Sequence, residues 1–308
     1  MTPKQLHYFL RIAELGSFSR AASVLYIAQP ALSRQVKQLE EQLGIELFTR
    51  SDTGVRLTEA GAVLVDRARV LLQQFESVRS EVSGMSNSVA GDLRFGLPTS
   101  LFDLVTVPLL SNFRSQYPTA HLGVTEGISA AIYRMVVAGE LDVGIVSSSE
   151  SLAGLESYPL ITESLFFGYP PNLPVALGED GAVTLDQVLH HPLGLTQWPN
   201  AMRVLLEQEA KAQGLRLRCL FDSNSSRLMN RAAAAGLGAT VNTYSAFYEA
   251  HRDGKLLVAP IRGLSTTWIL IYVRERGLPI AGRKLAELIS RISQEHIDAG
   301  IWLGARLA

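Results

Sequence analysis

Residues 16–44 read GSFSRAASVLYIAQPALSRQVKQLEEQLG, and the rest of the chain is organised around this stretch. Its first half predicts a short helix, because Ser17 and Ser19 are N-cap residue types and small apolar residues follow at helical spacing. Tyr26 breaks that pattern, and Pro30 then opens a second helix at a position where the first turn tolerates proline. The apolar residues of the second helix recur every three or four positions and form one buried stripe: Ala31, Leu32, Val36, Leu39 and Leu43.

The opposite face of this second helix is polar to basic, and its N-terminal half carries no carboxylate: Gln29, Ser33, Arg34 and Lys37. Side chains of these types hydrogen-bond base edges and phosphates when a helix enters the major groove of DNA. Any two packed helices with one solvated face would share this periodicity, so that alternative stays open. The short turn between helices rich in small residues, and the basic leading end, favour a helix-turn-helix.

A small hairpin is predicted directly after the second helix, with strands over 45–48 and 55–57 and Gly54 in the turn between them. A hairpin in this position is a wing. Arg50 and Arg56 lie on it and suit contacts to phosphates or to the minor groove, which position a protein on DNA without reading its sequence. The alternative is that both are ordinary surface arginines.

Thr58 is a suitable N-cap for a long helix over 58–85. Its apolar residues alternate in steps of three and four, as in a coiled coil: Gly61, Leu64, Ala68, Leu71, Phe75, Val78, Val82 and Met85. A narrow apolar seam needs a partner, and the simplest partner is the same helix of a second subunit. The seam could instead pack on its own N-terminal domain, as we expect for Leu64 and Ala68. A polar linker follows over 83–88, and we place the domain boundary near Ala90.

Composition limits the possible classes of protein. A length of 308 residues allows two or three domains, and a net charge of -1 gives no global basic field. Any affinity for DNA must therefore come from the local placement of Arg34, Lys37, Arg50 and Arg56. The single cysteine excludes an intrachain disulfide and a cysteine metal cluster. Since the chain shows neither a signal-peptide core nor a long apolar run, we expect a soluble cytoplasmic protein without a membrane partner.

From Asp92 onward, short β-rich runs alternate with helical stretches, which indicates βαβ units and a parallel sheet. The predicted segments are 93–97, 101–115, 120–126, 129–138 and 142–146, then 165–169, 185–189, 193–195, 201–213, 217–221, 225–235, 239–241, 268–273 and 280–297. Ligands of such sheets sit beyond the carboxyl ends of the strands, where helix N-termini attract anions. The polar candidates at these ends are Thr99, Ser100, Gly127, Ser147, Thr196, Gln197, Asn242 and Thr243.

These loops contain no lysine or arginine, so we expect a small carboxylate or sulfonate rather than a phosphate ester. Phe102, Trp198 and Tyr244 would supply flat apolar walls for an aromatic acid, although all three could equally be core residues. Each hydroxyl taken alone is more often a helix cap than a ligand contact. Glu126 counts against an anion at its own loop unless it points away from the cleft.

The N-terminal sixty residues resemble the LysR-type transcriptional regulators. The matching residues are Leu6, Phe9, Gly16, Ser17, Phe18, Ala21, Ala22, Leu25, Gln29, Pro30, Ala31, Leu32, Ser33, Leu39, Glu40, Leu43, Gly44, Leu47, Phe48, Arg50, Leu57, Thr58, Ala60 and Gly61. Residues 137–145 and 235–239 are similar to signatures of the family's effector domain. The resemblance implies a winged helix-turn-helix, a helix that pairs two subunits, and a two-lobe domain like the type 2 periplasmic binding proteins. It also implies DNA contacts at Gln29, Pro30, Ser33, Arg34 and Arg50.

We therefore expect an α/β protein with an N-terminal domain rich in α-helix. The expected divisions are a winged helix-turn-helix (1–57), a dimerisation helix (58–90) and an effector-binding domain (91–308). In the last, lobe 1 covers about 91–163 and 266–308, lobe 2 covers about 164–265, and the chain crosses between them near Glu163 and Thr266. The expected partners are double-stranded operator DNA, a small organic anion, a second subunit in a dimer or tetramer, and RNA polymerase if the protein is an activator.

Two other classes of protein are alternatives. A solute-binding protein of the same two-lobe fold would not begin with a helix-turn-helix. An enzyme should show a phosphate loop or a nucleophile elbow, and the chain contains neither GxxxxGK[ST] nor GxSxG. His190 and His191 look like a metal pair, but adjacent residues point apart on a helix, so we expect no metal and no cofactor.

Overall fold

The computed structural model describes residues 1–51, 54–84, 89, 91–148, 152 and 154–308. Within α-helices and strands, the side chains at positions 50, 51, 66, 73, 76, 77 and 79–84 are also outside the described part, among them Arg50 and Val82. The predicted wing tip, the seam residue Met85, most of the predicted linker and the boundary at Ala90 therefore fall outside the described residues. The chain divides into two compact units, the first made of Met1–Asn87 with Ala138–Glu140 and the second of Ser88–Val137 with Leu141–Ala308. Each unit is described by itself.

The described residues of the N-terminal unit form four helices and one hairpin. These are α1 (Pro3–Leu15), α2 (Phe18–Val24), α3 (Gln29–Leu43), β1 (Phe48–Ser51), β2 (Gly54–Leu57) and α4 (Glu59–Gly84). Local capping sets the helix ends: Thr2 and Gln5 form a capping box at the start of α1, and Gly16 ends that helix in the left-handed conformation. Ser17 caps α2, as predicted. Thr58 Oγ1 accepts the Gly61 N–H at 2.9 Å and so caps α4, also as predicted.

The predicted first strand of the hairpin, over 45–48, is wrong because the strand begins only at Phe48. One carboxylate oxygen of Glu40, on α3, accepts the backbone N–H groups of Leu47 at 2.8 Å and Phe48 at 3.3 Å. These hydrogen bonds fold the chain back against the end of α3. Leu47 is thereby buried in the core instead of lying along an exposed strand.

The core of this unit joins all its elements. Phe9 on α1 is fully buried and its ring lies 5.2 Å from that of Phe48, which also contacts Phe18 at 5.7 Å. Leu39 of α3 and Ala68 of α4 pack into the same cluster. Burial of each large apolar side chain contributes about 1.5–3 kcal/mol, so the buried stripe of α3 fixes which face of that helix remains in solvent.

In the part that the structure describes, the second unit is built on one seven-stranded sheet and one two-stranded sheet. Its strands are β3 (Gly91–Pro98), β4 (Ala120–Gly127), β5 (Val143–Ser147), β6 (Leu155–Tyr169), β7 (Leu193–Thr196), β8 (Cys219–Ser223), β9 (Thr240–Thr243), β10 (Leu257–Val273) and β11 (Ala305–Leu307). Its helices are α5 (Val107–Gln116), α6 (Ser129–Ala138), α7 (Leu185–Leu189), α8 (Ala201–Ala212), α9 (Ser226–Ala234), α10 (Tyr244–Arg252) and α11 (Ile280–Asp298). A 3-10 turn, Thr99–Leu101, and a π-helical turn, Phe102–Thr106, lead into α5.

The expected parallel sheet is only partly correct. β3 is parallel to β4 and β5, and β7 is parallel to β8, whereas β10 runs antiparallel to both β5 and β6. β6 and β10 are much longer than their predicted segments and pair with each other along nearly their whole length. At one end β10 joins the sheet of the first lobe through β5, and at the other end β6 pairs with β9 of the second lobe. Glu163 and Thr266, the predicted crossing points, are direct partners in this pairing.

One α-helix and one strand among the described elements of the second unit were not predicted. α10 follows β9 without a break, and β11 adds the C-terminal segment to the edge of β6. Among the described residues, no helix is long and apolar enough to cross a bilayer.

Candidate DNA interface and effector cleft

The leading face of α3 is exposed because Leu32, Val36 and Leu39 hold the opposite face in the core. Gln29, Pro30, Arg34 and Lys37 are exposed and Ser33 is half-buried. The Gln29 amide donates to Ser33 Oγ at 3.1 Å, so these two side chains share one turn of the helix surface. Lys37 lies 3.9 Å from Glu41 in an exposed ion pair, an interaction weak enough for the ammonium group to exchange it for a phosphate.

The wing is a four-residue ladder in which Arg56 pairs with Thr49 and Arg50 pairs with Val55. Arg56 is exposed. The side chain of Arg50 lies outside the described part, so its predicted DNA contact stays a prediction. The wing and α3 together can offer guanidinium, hydroxyl and amide groups to a nucleic acid from neighbouring elements of one unit.

Tyr26 is a candidate that the sequence reasoning missed. It precedes α3, is 95% exposed, and adopts a φ of 53°, which is uncommon for a residue other than glycine. Strained backbone of this kind is concentrated at functional sites. The break in helical pattern at Tyr26 was visible in the sequence, but the exposure of the ring was not.

The apolar seam of α4 divides into two parts. Leu64 and Ala68 pack within the N-terminal unit, and a Cβ added at Gly61 would lie 2.2 Å from the carbonyl oxygen of Leu47. Further along, three seam residues are exposed: Leu71 at 40%, Phe75 at 53% and Val78 at 59%. The first part of the seam therefore serves the unit's own core, and the second part is left without cover within the described chain.

In the second unit, the ends of several strands and the starts of several helices converge on one cavity of about 20 Å³, close to the room that one water needs. The first lobe contributes the ends of β3 and β4 and a residue of β10, and the second lobe contributes the starts of α8 and α9 and a residue of β9. The lining residues are Pro98, Thr99, Ser100, Gly127, Ile128, Ser129, Asn200, Ala201, Met202, Asn224, Ser226, Asn242 and Trp268. We call this cavity the cleft.

Four of the predicted ligand residues line the cleft: Thr99, Ser100, Gly127 and Asn242. Six others lie outside its lining: Phe102, Ser147, Thr196, Gln197, Trp198 and Thr243. Ser147, Thr196 and Thr243 are buried, and the Ser147 hydroxyl lies 2.7 Å from that of Thr266. Gln197 and Trp198 are exposed, the indole by 71%.

The three aromatic residues that we expected to line the cleft, Phe102, Trp198 and Tyr244, also lie outside its lining. Tyr244 is buried, with its ring 5.5 Å from that of Phe166, and belongs to the core. The aromatic side chain in the cleft is instead Trp268 of β10, which the sequence reasoning did not select. A tryptophan within a β-rich run gives no sign of which layer it faces, because that depends on the pairing of distant strands.

None of the described residues that line the cleft is charged, and the starts of α6, α8 and α9 meet there. Asn200 caps α8 by accepting the Met202 N–H at 3.0 Å. Glu126 is exposed and outside the lining, so it does not oppose an anion in the cleft. The chemical character of the site is therefore neutral, with hydroxyl, amide and backbone donors around a space near helix N-termini.

A larger cavity of about 150 Å³ lies beside the cleft and shares Thr99 and Ser226 with it. Its lining is charged with both signs and includes Asp103, Arg227 and Glu249. Burial, and then the neighbouring Glu249 carboxylate, raise the pKa of Asp103, while Arg227, 4.0 Å away, opposes the rise. Because Arg227 and Glu249 are exposed, this larger cavity resembles a solvated surface more closely than the cleft does.

His190 and His191 are not arranged to bind one metal ion together. His190 is exposed and its Nδ1 lies 2.7 Å from the Asp186 carbonyl oxygen, whereas the His191 ring packs 5.3 Å from that of Phe167. The described residues contain no group of three or more histidine, cysteine, aspartate or glutamate side chains that could hold a metal ion.

The fold and these two surfaces define a class: a winged-helix DNA-binding unit joined to a two-lobe ligand-binding domain. Comparison with known proteins gives the same result. The model of the bacterial regulatory helix-turn-helix protein, lysR family, matches residues 3–62, and that of the LysR substrate binding domain matches residues 86–293. The chain therefore belongs to the LysR family, as a DNA-binding transcriptional regulator with an effector-binding domain.

Individual relatives agree. The nitrogen assimilation regulatory protein nac of Klebsiella aerogenes is 32% identical over 247 residues, covering 80% of this chain and 79% of that protein. The HTH-type transcriptional regulator BbuR of Bordetella bronchiseptica is 29% identical over 302 residues, covering 97% and 92%. These relatives are named as regulators and not as enzymes.

Solved structures share the fold over nearly the whole chain. A full-length variant of OxyR from Pseudomonas aeruginosa matches with a TM-score of 0.74 and 25% identity, covering 94% of this chain and 98% of that one. Full-length CbnR in complex with its target DNA matches with a TM-score of 0.65 and 22% identity, covering 95% and 100%, which shows the fold alone.

Proposed function

We propose that a small organic anion, carboxylate or sulfonate, binds in the cleft and changes how this regulator binds its operator. The observation that carries the proposal is the meeting of Thr99, Ser100, Gly127 and Asn242 in one uncharged cavity at the starts of three helices. Helix N-termini present N–H groups and a partial positive charge, which favour an anion without a basic side chain. A phosphate ester, with its higher charge, more often recruits arginine or lysine.

An aromatic acid is the favoured subclass. Trp268 provides an apolar wall within the cleft, next to the hydroxyl and amide groups that would hold a carboxylate. Ligand sites of this kind combine an apolar lining with a few convergent polar groups. Trp268 thus takes the role that we expected of Phe102, Trp198 and Tyr244.

The size of the cleft suggests how the ligand acts. About 20 Å³ is too small for an organic acid, so the two lobes must move apart or repack to admit it. β6 and β10 are the only paired strands described that join both lobes, and they supply the hinge. A ligand shifts the equilibrium between the two arrangements by its difference in affinity for them.

On the DNA side, we propose that Gln29, Pro30, Ser33 and Arg34 contact the major groove at the start of α3. Lys37, Arg50 and Arg56 would contact phosphates or the minor groove. Tyr26 would add a phosphate contact beside them, because its hydroxyl is exposed immediately before α3. The protein would act on chromosomal DNA in the cytoplasm and, if it is an activator, would contact RNA polymerase.

Two half-sites require two reading helices, and the exposed seam residues Leu71, Phe75 and Val78 provide a surface for pairing α4 with its copy. We propose a dimer through this helix and a tetramer formed from two dimers.

The effector proposal is tested by thermal shift with sodium acetate, benzoate and benzenesulfonate. Binding of one of them should raise the melting temperature of the wild type. The shift should be absent from a Thr99→Val, Ser100→Ala double variant and present in Ser111→Ala, which removes an exposed hydroxyl from α5. An acid that stabilises all three proteins equally binds elsewhere and would contradict the assignment.

A further inference from the structure

Glu163 is a completely buried carboxylate at the point where β6 passes from one lobe to the other. Its two oxygens accept four hydrogen bonds from three separate segments of the chain. Oε2 accepts from the Trp268 indole at 2.8 Å and from the Ser245 hydroxyl at 3.0 Å. Oε1 accepts from the Ser245 backbone N–H at 2.6 Å and from the Trp302 indole at 2.9 Å.

A buried carboxylate without a neighbouring cation lowers the stability of the folded state, because burial disfavours the charged form. Burial raises the pKa of Glu163, and the hydrogen bonds from Trp268, Ser245 and Trp302 oppose this without cancelling it. Other titratable groups on the packed elements, Tyr244 on α10, His296 on α11 and Arg306 on β11, are not among the causes. Replacing this carboxylate by an apolar residue would leave the donors of Trp268, Ser245 and Trp302 buried without an acceptor.

Both walls of the cleft are connected to this carboxylate. Trp268 lines the cleft from the first lobe and donates directly to Glu163. Asn242 lines it from the second lobe, and its side-chain oxygen accepts the Thr243 N–H at 2.9 Å. The Thr243 hydroxyl lies 3.0 Å from that of Ser245, which donates to Glu163. Two hydrogen-bonded routes, one from each side of the cleft, therefore meet at Glu163.

A third route leads away from the cleft to the C-terminal segment. Trp302 is 1% exposed and its indole is held by Glu163. Ala305 of β11 pairs with Glu163 along β6, and the Ser164 N–H donates to the Gly304 carbonyl at 2.9 Å. The C-terminal segment is therefore fixed to the crossing strand at the same residue that holds the cleft walls.

We propose that Glu163 is a positioning residue that couples the cleft to the C-terminal segment. A displacement of Trp268 or Asn242 moves the carboxylate, and the carboxylate moves Trp302. The proposal depends on the proposed function only in taking the cleft as the ligand site. Its test uses no ligand, so a failed search for an effector would not affect it.

The experiment is fluorine NMR of the full chain labelled with 5-fluorotryptophan. The protein has three tryptophans, and Trp198→Phe and Trp302→Phe variants assign the three signals. The first measurement follows these signals from about pH 4 to pH 8. The Trp268 and Trp302 signals should shift together, with one midpoint above the ordinary range of a glutamic acid, and Glu163→Gln should abolish the shift. Glu156→Gln, at a partly exposed position on the same strand, should retain it.

The second measurement perturbs the cleft and observes the C-terminal segment. Asn242→Ala should shift the Trp302 signal, because it removes the first group on one route to Glu163. Asn224→Ala changes another cleft residue of the same type that lies outside that route, and should leave Trp302 unshifted. This arm remains decisive if Glu163→Gln fails to fold. The proposal is overturned if Trp302 is unaffected by Asn242→Ala, or if the shared pH transition persists in a folded Glu163→Gln protein.

Discussion

The backbone N–H of Val55 donates to the carbonyl oxygen of Gly16 at 3.1 Å, so the wing is tied to the end of the first helix. The adjacent Gly54 has a φ of 132°, and a Cβ added there would lie 2.7 Å from the same oxygen. The wing thus owes its position to a close approach of two glycines that are far apart in the sequence.

Gly54→Ala should therefore lower the free energy of unfolding of the N-terminal unit by about 3 kcal/mol, since strained backbone and the contact with Gly16 add together. Gly44→Ala is the matched control, because Gly44 is left-handed but nothing lies within 4 Å of its added Cβ. It should cost about 1 kcal/mol. Urea denaturation measures both, and equal costs would show that the contact with Gly16 is unimportant.

Arg34→Ala should weaken operator binding by about 1–3 kcal/mol, since the guanidinium lies on the leading face of α3. Arg11→Ala removes the same charge from α1, where Arg11 is paired with Glu14 at 3.0 Å, and should have little effect. Gel shift on a duplex selected from a random pool compares them. If the two variants bind alike, Arg34 is not a DNA contact.

Phe75→Glu should dissociate the proposed dimer, because it places a charge in the exposed part of the α4 seam. Val63→Glu makes a comparable change on the same helix, at a residue that is 61% exposed but outside the seam, and should leave the dimer intact. Sedimentation velocity gives the oligomeric state. A Phe75→Glu protein that sediments like the wild type would place the subunit interface elsewhere.

Stability should fall with rising pH because of Glu163. Since its pKa is raised above the ordinary 4.5 in the folded protein, the folded state binds the extra proton, and that contribution is lost as pH rises through the folded pKa. Denaturation of wild type and Glu163→Gln across that range should show a steeper decline for the wild type. Parallel curves would mean that Glu163 titrates normally.

Local features of the fold were predictable from the sequence, and long-range ones were not. Thr2, Ser17 and Gly16 set helix ends through contacts within a few residues, so their residue types suffice. The start of β1 depends on Glu40, seven residues or more away, which accepts the N–H groups that strand pairing would have used. The central stretches of β6 and β10 are interrupted by polar residues and do not resemble strands before they are paired.

The same distinction applies to the cleft. Thr99, Ser100, Gly127 and Asn242 were found because they directly follow strands, and the carboxyl ends of neighbouring strands meet. Trp268 and Ser226 were missed, because the first reaches the cleft through the register of β10 and the second through the docking of the two lobes. Thr196 and Thr243 also lie at the carboxyl ends of strands, but both are buried in the interior and do not line the cleft.

We expect a ligand in the cleft to alter DNA binding. This effect is measured by the fluorescence anisotropy of a selected operator duplex, titrated with wild type and with the Thr99→Val, Ser100→Ala variant, each with and without acetate, benzoate or benzenesulfonate. We predict that at least one acid changes the operator affinity of the wild type and leaves that of the variant unchanged. Equal changes in both proteins, or no change in the wild type with any of these acids, would show that the cleft does not control DNA binding.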